Sequence, residues 1–431
     1  MTAITTPSPD RPADLLIVGA GPAGAALALQ LADHGLAVTV VEANRRFERP
    51  FRGQGLMPSG LEALAALGLA AWPGAEQTAE AWPADVPRRP LRAWSFVLNG
   101  RALFTVREPM GSPVPCTLIE PGTLLRHWRQ QLVARGVRLL VGQAVVGLLE
   151  ASGRIEGVVL ADGRRLRAAL VVGCDGQESL VRRLAGLAGA VGPAPFALLW
   201  FRLRRPHGAA IEAWLADRFV TLVGPSGSGA LFCRADGGVQ VGWTPVGEAP
   251  TGLTAGAKAG PWPERWAAAA PPELAALLRA LPARAVRGPA RLVGRVGLAE
   301  RWHRPGLLLL GDAAHPMSPL RAQGLNMALR DAVVAAAALT PALAEPDPGR
   351  RQRALAEALA RIEAARRPEI EAVQALQAEE AHRAALLRNP ALRALLAATA
   401  PLSGPLLARR WRASQRVLRD GLAPLNAPKR R

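Results

Sequence analysis

Leu15–Gly24 reads LLIVGAGPAG, and the reading of that stretch decides how the rest of the chain is placed. Leu15–Val18 is short, apolar and partly β-branched, as a buried parallel strand is. Gly19, Gly21 and Gly24 follow at GxGxxG spacing, and Ala25–Ala32 is rich in alanine and leucine, as a helix is. Strand, glycine turn and helix in that order bring backbone N–H groups and the positive end of a helix dipole to an anionic ligand. The glycines permit the tight turn, close approach to a pyrophosphate, and close packing of helix on strand. A second strand, Ala37–Val41, leads to Glu42, 18 residues past Gly24, where an acidic residue takes a ribose hydroxyl pair. Leu15–Ala32 carries no charge over 18 residues, but its glycines, Pro22 and the preceding Asp14 argue against a membrane span or signal peptide.

Two later stretches repeat the logic. Leu170–Arg182 reads LVVGCDGQESLVR: a strand, Asp175-Gly176, then Ser179 placed to cap a helix from Leu180, with Arg182 in its first turn. Leu307–Ala332 reads LLLLGDAAHPMSPLRAQGLNMALRDA. Its strand ends at Gly311-Asp312, Pro316 and Pro319 hold an extended loop, and Gly324 lets the backbone pass a flat ligand closely. A helix beginning near Asn326 aims its N-terminus at whatever the loop holds. For a flavin this is useful, because reduction places negative charge around N1 and the C2 carbonyl. Asp312 is placed for ribityl hydroxyls, and His315 is expected to shape the loop through hydrogen bonds rather than to catalyse.

Composition sets bounds on the rest. The chain has 431 residues, 50% of them hydrophobic, enough for two intertwined domains and a tail. Its three cysteines, Cys116, Cys174 and Cys233, form no CxxC pair, so neither metal nor a redox disulfide is expected, and a cytoplasmic location is the simplest. The net charge of +19 is almost all arginine. GC-rich codon usage accounts for that bias; attraction of dinucleotides or anionic lipid is the functional alternative. No nucleic-acid module is visible.

Asp162-Gly163 between IEGVVL and RLRAALVV marks a hairpin. Ser59–Leu69, Gly122–Arg135 and much of Pro261–Pro282 read as helices, and Trp72–Pro90 as an irregular insertion. Ala197–Thr244 holds four strands, ALLWFRL, FVTLV, ALFCRA and VQVGWT, expected to form an antiparallel sheet with one face on a cavity. Arg291–Val296 and Leu307–Leu310 are expected to return to the nucleotide-binding sheet. Trp200, Phe232 and Trp243 are candidates to line an apolar pocket, with Arg202 and His207 as polar contacts. From Asn326 the chain reads as helical, with breaks near Glu345–Gly349 and Ala400–Pro405. Arg383–Arg419 alternates arginine with leucine and alanine. It reads either as a helix lying on a membrane or, the preferred reading, as one packed on the body with a basic outer face.

In content and order the three motifs resemble the flavoprotein monooxygenases of the para-hydroxybenzoate hydroxylase type, which include ubiquinone-biosynthesis hydroxylases. The resemblance spans roughly residues 14–345, and Arg52-Gly53 with LMPSGLEAL resembles the family's early FAD-contacting arginine and helix. It implies an α/β chain with a Rossmann-like FAD-binding domain (1–75, 103–185, 286–345). An inserted antiparallel-sheet substrate domain (76–102, 186–285) and C-terminal helices (346–431) complete it. Gly19, Gly21, Gly24, Glu42, Arg52, Asp175, Gly176, Gly311 and Asp312 would then bind FAD. Pro319, Gly324, Asn326 and Met327 would line the isoalloxazine, with Pro319 and Gly324 positioning the flavin loop and no side-chain acid or base assigned. NADH or NADPH would bind transiently, and a flavin C4a-hydroperoxide formed with O₂ would hydroxylate an aromatic or polycyclic lipophilic molecule in a water-free site. The chain departs from the pattern ahead of Gln323-Gly324, where the family often has a second glycine and Ala322 stands after Arg321, and at Glu120-Pro121, where it has glutamine or arginine. It also has no tyrosine, which phenol-hydroxylating members commonly use. A reductase of prenyl C=C bonds on the same scaffold and a non-catalytic FAD-binding module are the alternatives.

Overall fold

The computed structural model describes residues 13–45, 54–69, 82–108, 114–193, 198–246, 262–292, 294–422 and 425. Strand Ala13–Val18 lies at the centre of the larger sheet, paired in parallel with Val38–Glu42 on one side and Arg165–Gly173 on the other. Arg138–Val141 and Leu307–Leu309 extend this parallel core outward. Leu15, Leu16 and Ile17 are fully buried, because helices cover one face and the Arg154–Leu160 hairpin strand with its neighbours covers the other. Helices Pro22–Ala32 and Gln323–Ala344 pack together on the helical face. The second is long and apolar enough to cross a bilayer, but two-thirds of its apolar window is buried in the core. The Asp162-Gly163 turn joins Arg154–Leu160 to Arg165–Gly173 in an antiparallel hairpin, as expected.

The smaller sheet has seven strands in the order Val286–Leu292, Leu198–Leu203, Val239–Pro245, Gly227–Cys233, Arg218–Gly224, Ala93–Leu98 and Arg101–Arg107. All its pairs are antiparallel except that between Arg218–Gly224 and Ala93–Leu98. Side chains of the inner strands point alternately to the two faces, so one face packs on helices Trp262–Ala267 and Pro272–Arg279, and the other turns toward the larger sheet.

Several expectations shift. Residues 103–107 and 286–292 belong to the smaller sheet, not to the nucleotide-binding part, because their strands pair along its two edges. Arg291–Val296 therefore does not return to the larger sheet; Arg295–Ala299 instead pairs with Gly189–Pro193 as a separate two-stranded ribbon. The C-terminal break falls at Thr399, between helices Pro390–Ala398 and Ala400–Ser414, and Pro405 sits within the second of these. Pro401 in the first turn of that helix is tolerated because N–H groups there have no helical acceptor.

Candidate functional site

The three motifs leave the parallel sheet side by side. Gly19 N–H donates to Val41 O at 2.8 Å, Cys174 N–H to Val18 O at 2.7 Å, and Leu310 N–H to Gly173 O at 3.0 Å. The ends of all three motif strands and of Val38–Glu42 are thus laced together, and their loops share one edge.

The glycine turn divides its labour. Gly19 has φ +101°, and a Cβ there would lie 2.4 Å from Cys174 O. A Cβ on Gly24 would lie 2.1 Å from Gly19 O, so only glycine lets the helix sit this close. At Gly21 a Cβ would meet nothing within 4 Å among the described residues. The middle glycine thus faces open space beside a helix start that no side chain caps. That pairing of a crowded turn with an open, N–H-rich face fits a diphosphate. Glu42 sits next to it, accepting from Ala20 N–H at 2.9 Å and Asn44 N–H at 2.8 Å.

In the second motif Asp175 fixes its own loop. It accepts from the Ser179 hydroxyl at 2.5 Å and from Val181 N–H at 3.0 Å, while Ser179 Oγ caps Arg182 N–H at 2.9 Å. Gly176 supplies the positive φ of the turn. Arg182, which the sequence marks only as a first-turn residue, bridges to the third motif, donating to Ala313 O at 2.6 Å. Gly311 completes the convergence, since its Cβ position is 3.2 Å from Ala23 on the first helix. Asp312 faces Gly324, whose Cβ position is 3.4 Å from Asp312 Oδ1.

The loop after Asp312 rests on a buried charged cluster. Asp331 accepts from Gly311 N–H at 3.0 Å and lies 2.7 Å from His315 Nε2, and its other oxygen accepts from Arg366 Nε at 2.8 Å. Arg366 also bonds Glu369. Arg330 joins on, 2.9 Å from both Glu369 and Glu62. His315 is buried, and its ring bonds the carboxylate that holds Gly311. Ser318, buried, is followed by Pro319, Leu320, Arg321 and Ala322, all partly open to solvent. Helix Gln323–Ala344 then starts without a side-chain cap, its first N–H groups turned toward the loop.

Asn326 and Met327 need correction as lining side chains. Asn326 is fully buried, accepts from Met57 N–H at 2.8 Å and donates to Gly55 O at 3.0 Å and Ala322 O at 2.9 Å. Two of these three bonds clamp the Gly55–Met57 segment and the third holds Ala322. Met327 lies in the core, its sulfur 3.6 Å from Arg366. What this turn presents outward is backbone. Arg52 lies outside the described residues.

The pocket candidates also divide. Trp200 and Phe232 sit on the sheet face turned to the motifs, with ring centroids 6.0 Å apart. Trp243 pairs with Leu199 in the sheet register and so points the opposite way, into the core under Trp266. Period-two alternation decides this, and the hairpin register, invisible in the separate strands, sets its phase. Arg202 is exposed, and His207 lies 3.5 Å from Arg284, outside the aromatic face.

Sequence reasoning missed the rest of that face. Phe232 stacks on Phe219 at 5.2 Å, Phe219 on Trp94 at 4.8 Å, and Trp94 meets Trp411 of the C-terminal helix at 5.4 Å. Arg321 reaches from the loop onto this row, its guanidinium 4.6 Å from the Trp94 ring and 5.0 Å from Trp411. It also pairs with Glu380 through bonds of 2.8 and 3.0 Å. Alternating Trp94 and Phe96 in AWSFVL was the available signal; the partners are remote in sequence. Glu120, where the family pattern is broken, accepts from the buried Arg234 at 2.7 Å, linking the start of helix Pro121–Ala134 to the end of strand Gly227–Cys233 of the smaller sheet.

The comparisons with known proteins agree with this geometry. The family model described as FAD binding domain matches residues 12–373. A 6-methylpretetramide 4-monooxygenase of Streptomyces rimosus is 35% identical over 377 residues, covering 84% of this chain and 82% of its own. Ubiquinone hydroxylase UbiL of Rhodospirillum rubrum is 29% identical over 401 residues, covering 85% of this chain and 81% of its own. The crystal structure of Pseudomonas aeruginosa PqsL in complex with 2-aminobenzoylacetate superposes with a TM-score of 0.71 at 25% identity, covering 90% of this chain and 99% of that one. A chain whose glycine turn, second strand end and GD loop meet at one sheet edge, and most of whose length the family model covers, belongs to the FAD-binding-domain family of flavoprotein monooxygenases and is an FAD-dependent oxidoreductase.

Proposed function

We propose that the chain hydroxylates a planar aromatic molecule held between the flavin loop and the aromatic face of the smaller sheet. The row Trp200–Phe232–Phe219–Trp94, with Arg321 of the loop seated on its end, carries this reading. Stacked rings favour a flat, electron-rich ligand, and an apolar face built on the buried Trp94 and Phe232 disfavours the water that would divert oxygen to peroxide. The overall balance is substrate–H + O₂ + NAD(P)H + H⁺ giving substrate–OH + NAD(P)⁺ + H₂O.

FAD, when bound, supplies the route from nicotinamide electrons to activated oxygen. Gly21 and the start of helix Pro22–Ala32 would hold its diphosphate, Glu42 its adenosine ribose, and Asp312 its ribityl chain. The first-turn N–H groups of Gln323–Ala344 would favour negative charge on the reduced ring. Pro319 and Gly324 shape the loop by backbone. With no tyrosine in the chain, no phenol side chain relays the substrate proton.

The test is the visible spectrum of the purified protein, then NAD(P)H oxidation with a panel of planar phenols, quinols and polyketides under ¹⁸O₂. Label in the product supports the reading. Turnover that persists without oxygen would assign the chain to C=C reduction instead.

A further inference from the structure

Helix Pro390–Ala398 and the segment Ala400–Asp420 are bent at 100° to one another. Their inner faces are packed: Trp411 is buried against the aromatic row, and a Cβ on Gly404 would lie 2.4 Å from Leu103 O on the edge strand. Their outer faces are apolar where solvation would favour polar residues. Leu395 is 60% exposed, Leu406 69% and Leu402 86%. At helical spacing the stripe of Leu402 and Leu406 runs on into Arg409 and Arg410, both exposed. Residues 381–419 contain eight arginines and no aspartate or glutamate. An apolar corner followed by basic residues on the same stripe matches the depth profile of a bilayer surface, with acyl chains below and phosphates above.

We infer that this corner docks on an anionic phospholipid bilayer, with Leu395, Leu402 and Leu406 at the acyl boundary and Arg409 and Arg410 among the phosphates. A second copy of the chain fits less well. A two-fold contact would set arginine stripe against arginine stripe on molecules that each carry +19. The site is distinct from the proposed hydroxylation and does not rest on it, although Trp411 on the same helix backs the aromatic row.

The test uses the full chain loaded with FAD and co-sedimentation with vesicles, without turnover, so a failed hydroxylase assay leaves it intact. Vesicles of phosphatidylcholine with phosphatidylglycerol are expected to pellet the protein, less so as salt rises. The double variants Leu402→Ser/Leu406→Ser and Arg409→Gln/Arg410→Gln are each expected to bind at least about tenfold more weakly, with native circular dichroism and flavin content. Three results would overturn the assignment: no pelleting, equal binding to phosphatidylcholine alone, or variants that bind as well as the parent. A dimer in sedimentation velocity that the leucine variant dissolves would assign the face to a second copy.

Discussion

Asp331 shows how one residue supports a site it does not line. Burial pushes its carboxyl up, but His315 and the Arg366 guanidinium more than offset this and lower it from 3.8 to about 2. A carboxyl held low stabilises the fold above its ordinary value, and that contribution is lost as pH falls through the folded value. Asp331→Asn removes one of the two carboxylates that pair with the buried Arg366 and is expected to cost about 3 kcal/mol at neutral pH. Urea titrations should show the gap from the parent narrowing between about pH 4 and about pH 2. A gap independent of pH would mean that Asp331 is not ionised in the fold. The RDA triplet in Leu307–Ala332 offers no hint of this, since Arg366 and Glu369 come from another helix.

Among elements, helix Pro348–Leu386 does more than cover the core. Gln374, Gln377 and Glu380 recur every three residues and grip the flavin loop in turn. Gln374 Nε2 donates to Pro316 O at 3.3 Å, and Gln377 Nε2 to Ser318 O at 3.0 Å and Leu320 O at 2.6 Å. Glu380 pairs with Arg321, and Gln415 donates to the same carboxylate at 3.0 Å. The grip matters because Arg321 and Ala322 have φ of +62° and +53°, a strained region for side chains other than glycine. Glu380→Ala is expected to destabilise the protein by about 1–3 kcal/mol. It should also raise the hydrogen peroxide released per NAD(P)H oxidised, because a looser loop admits water. A lower melting temperature with an unchanged peroxide ratio would reduce Glu380 to a stability residue.

For the molecule as a whole, burial governs thiol chemistry. Cys116 is pushed up by burial, with Arg321 pulling the other way, to about 12; burial raises Cys233 to about 11 and Cys174 well above its ordinary value. The thiolate is the reactive form, so all three should be inert in the fold. A disulfide reagent at pH 8 should titrate no thiol in native protein and three in denaturant. Rapid reaction of one native thiol would show that its strand opens. The packed reading of the C-terminal segment holds for its inner face, where Trp411 closes the aromatic row, and says nothing of the leucines left outside.

The sequence by itself determined the parallel core, the glycine turn and the order of the three motifs. Each is written in consecutive residues, as apolar run, glycine and helix start. It also carried the alternation of the smaller sheet, because period two is local. Tertiary structure alone decided which phase of that alternation faces the flavin loop, and so separated Trp243 from Trp200 and Phe232. It alone turned Asn326 and Met327 inward and brought Trp94, Trp411, Arg321 and Glu380 together. Those outcomes depend on strand register and on contacts between segments tens to hundreds of residues apart, which no local pattern encodes.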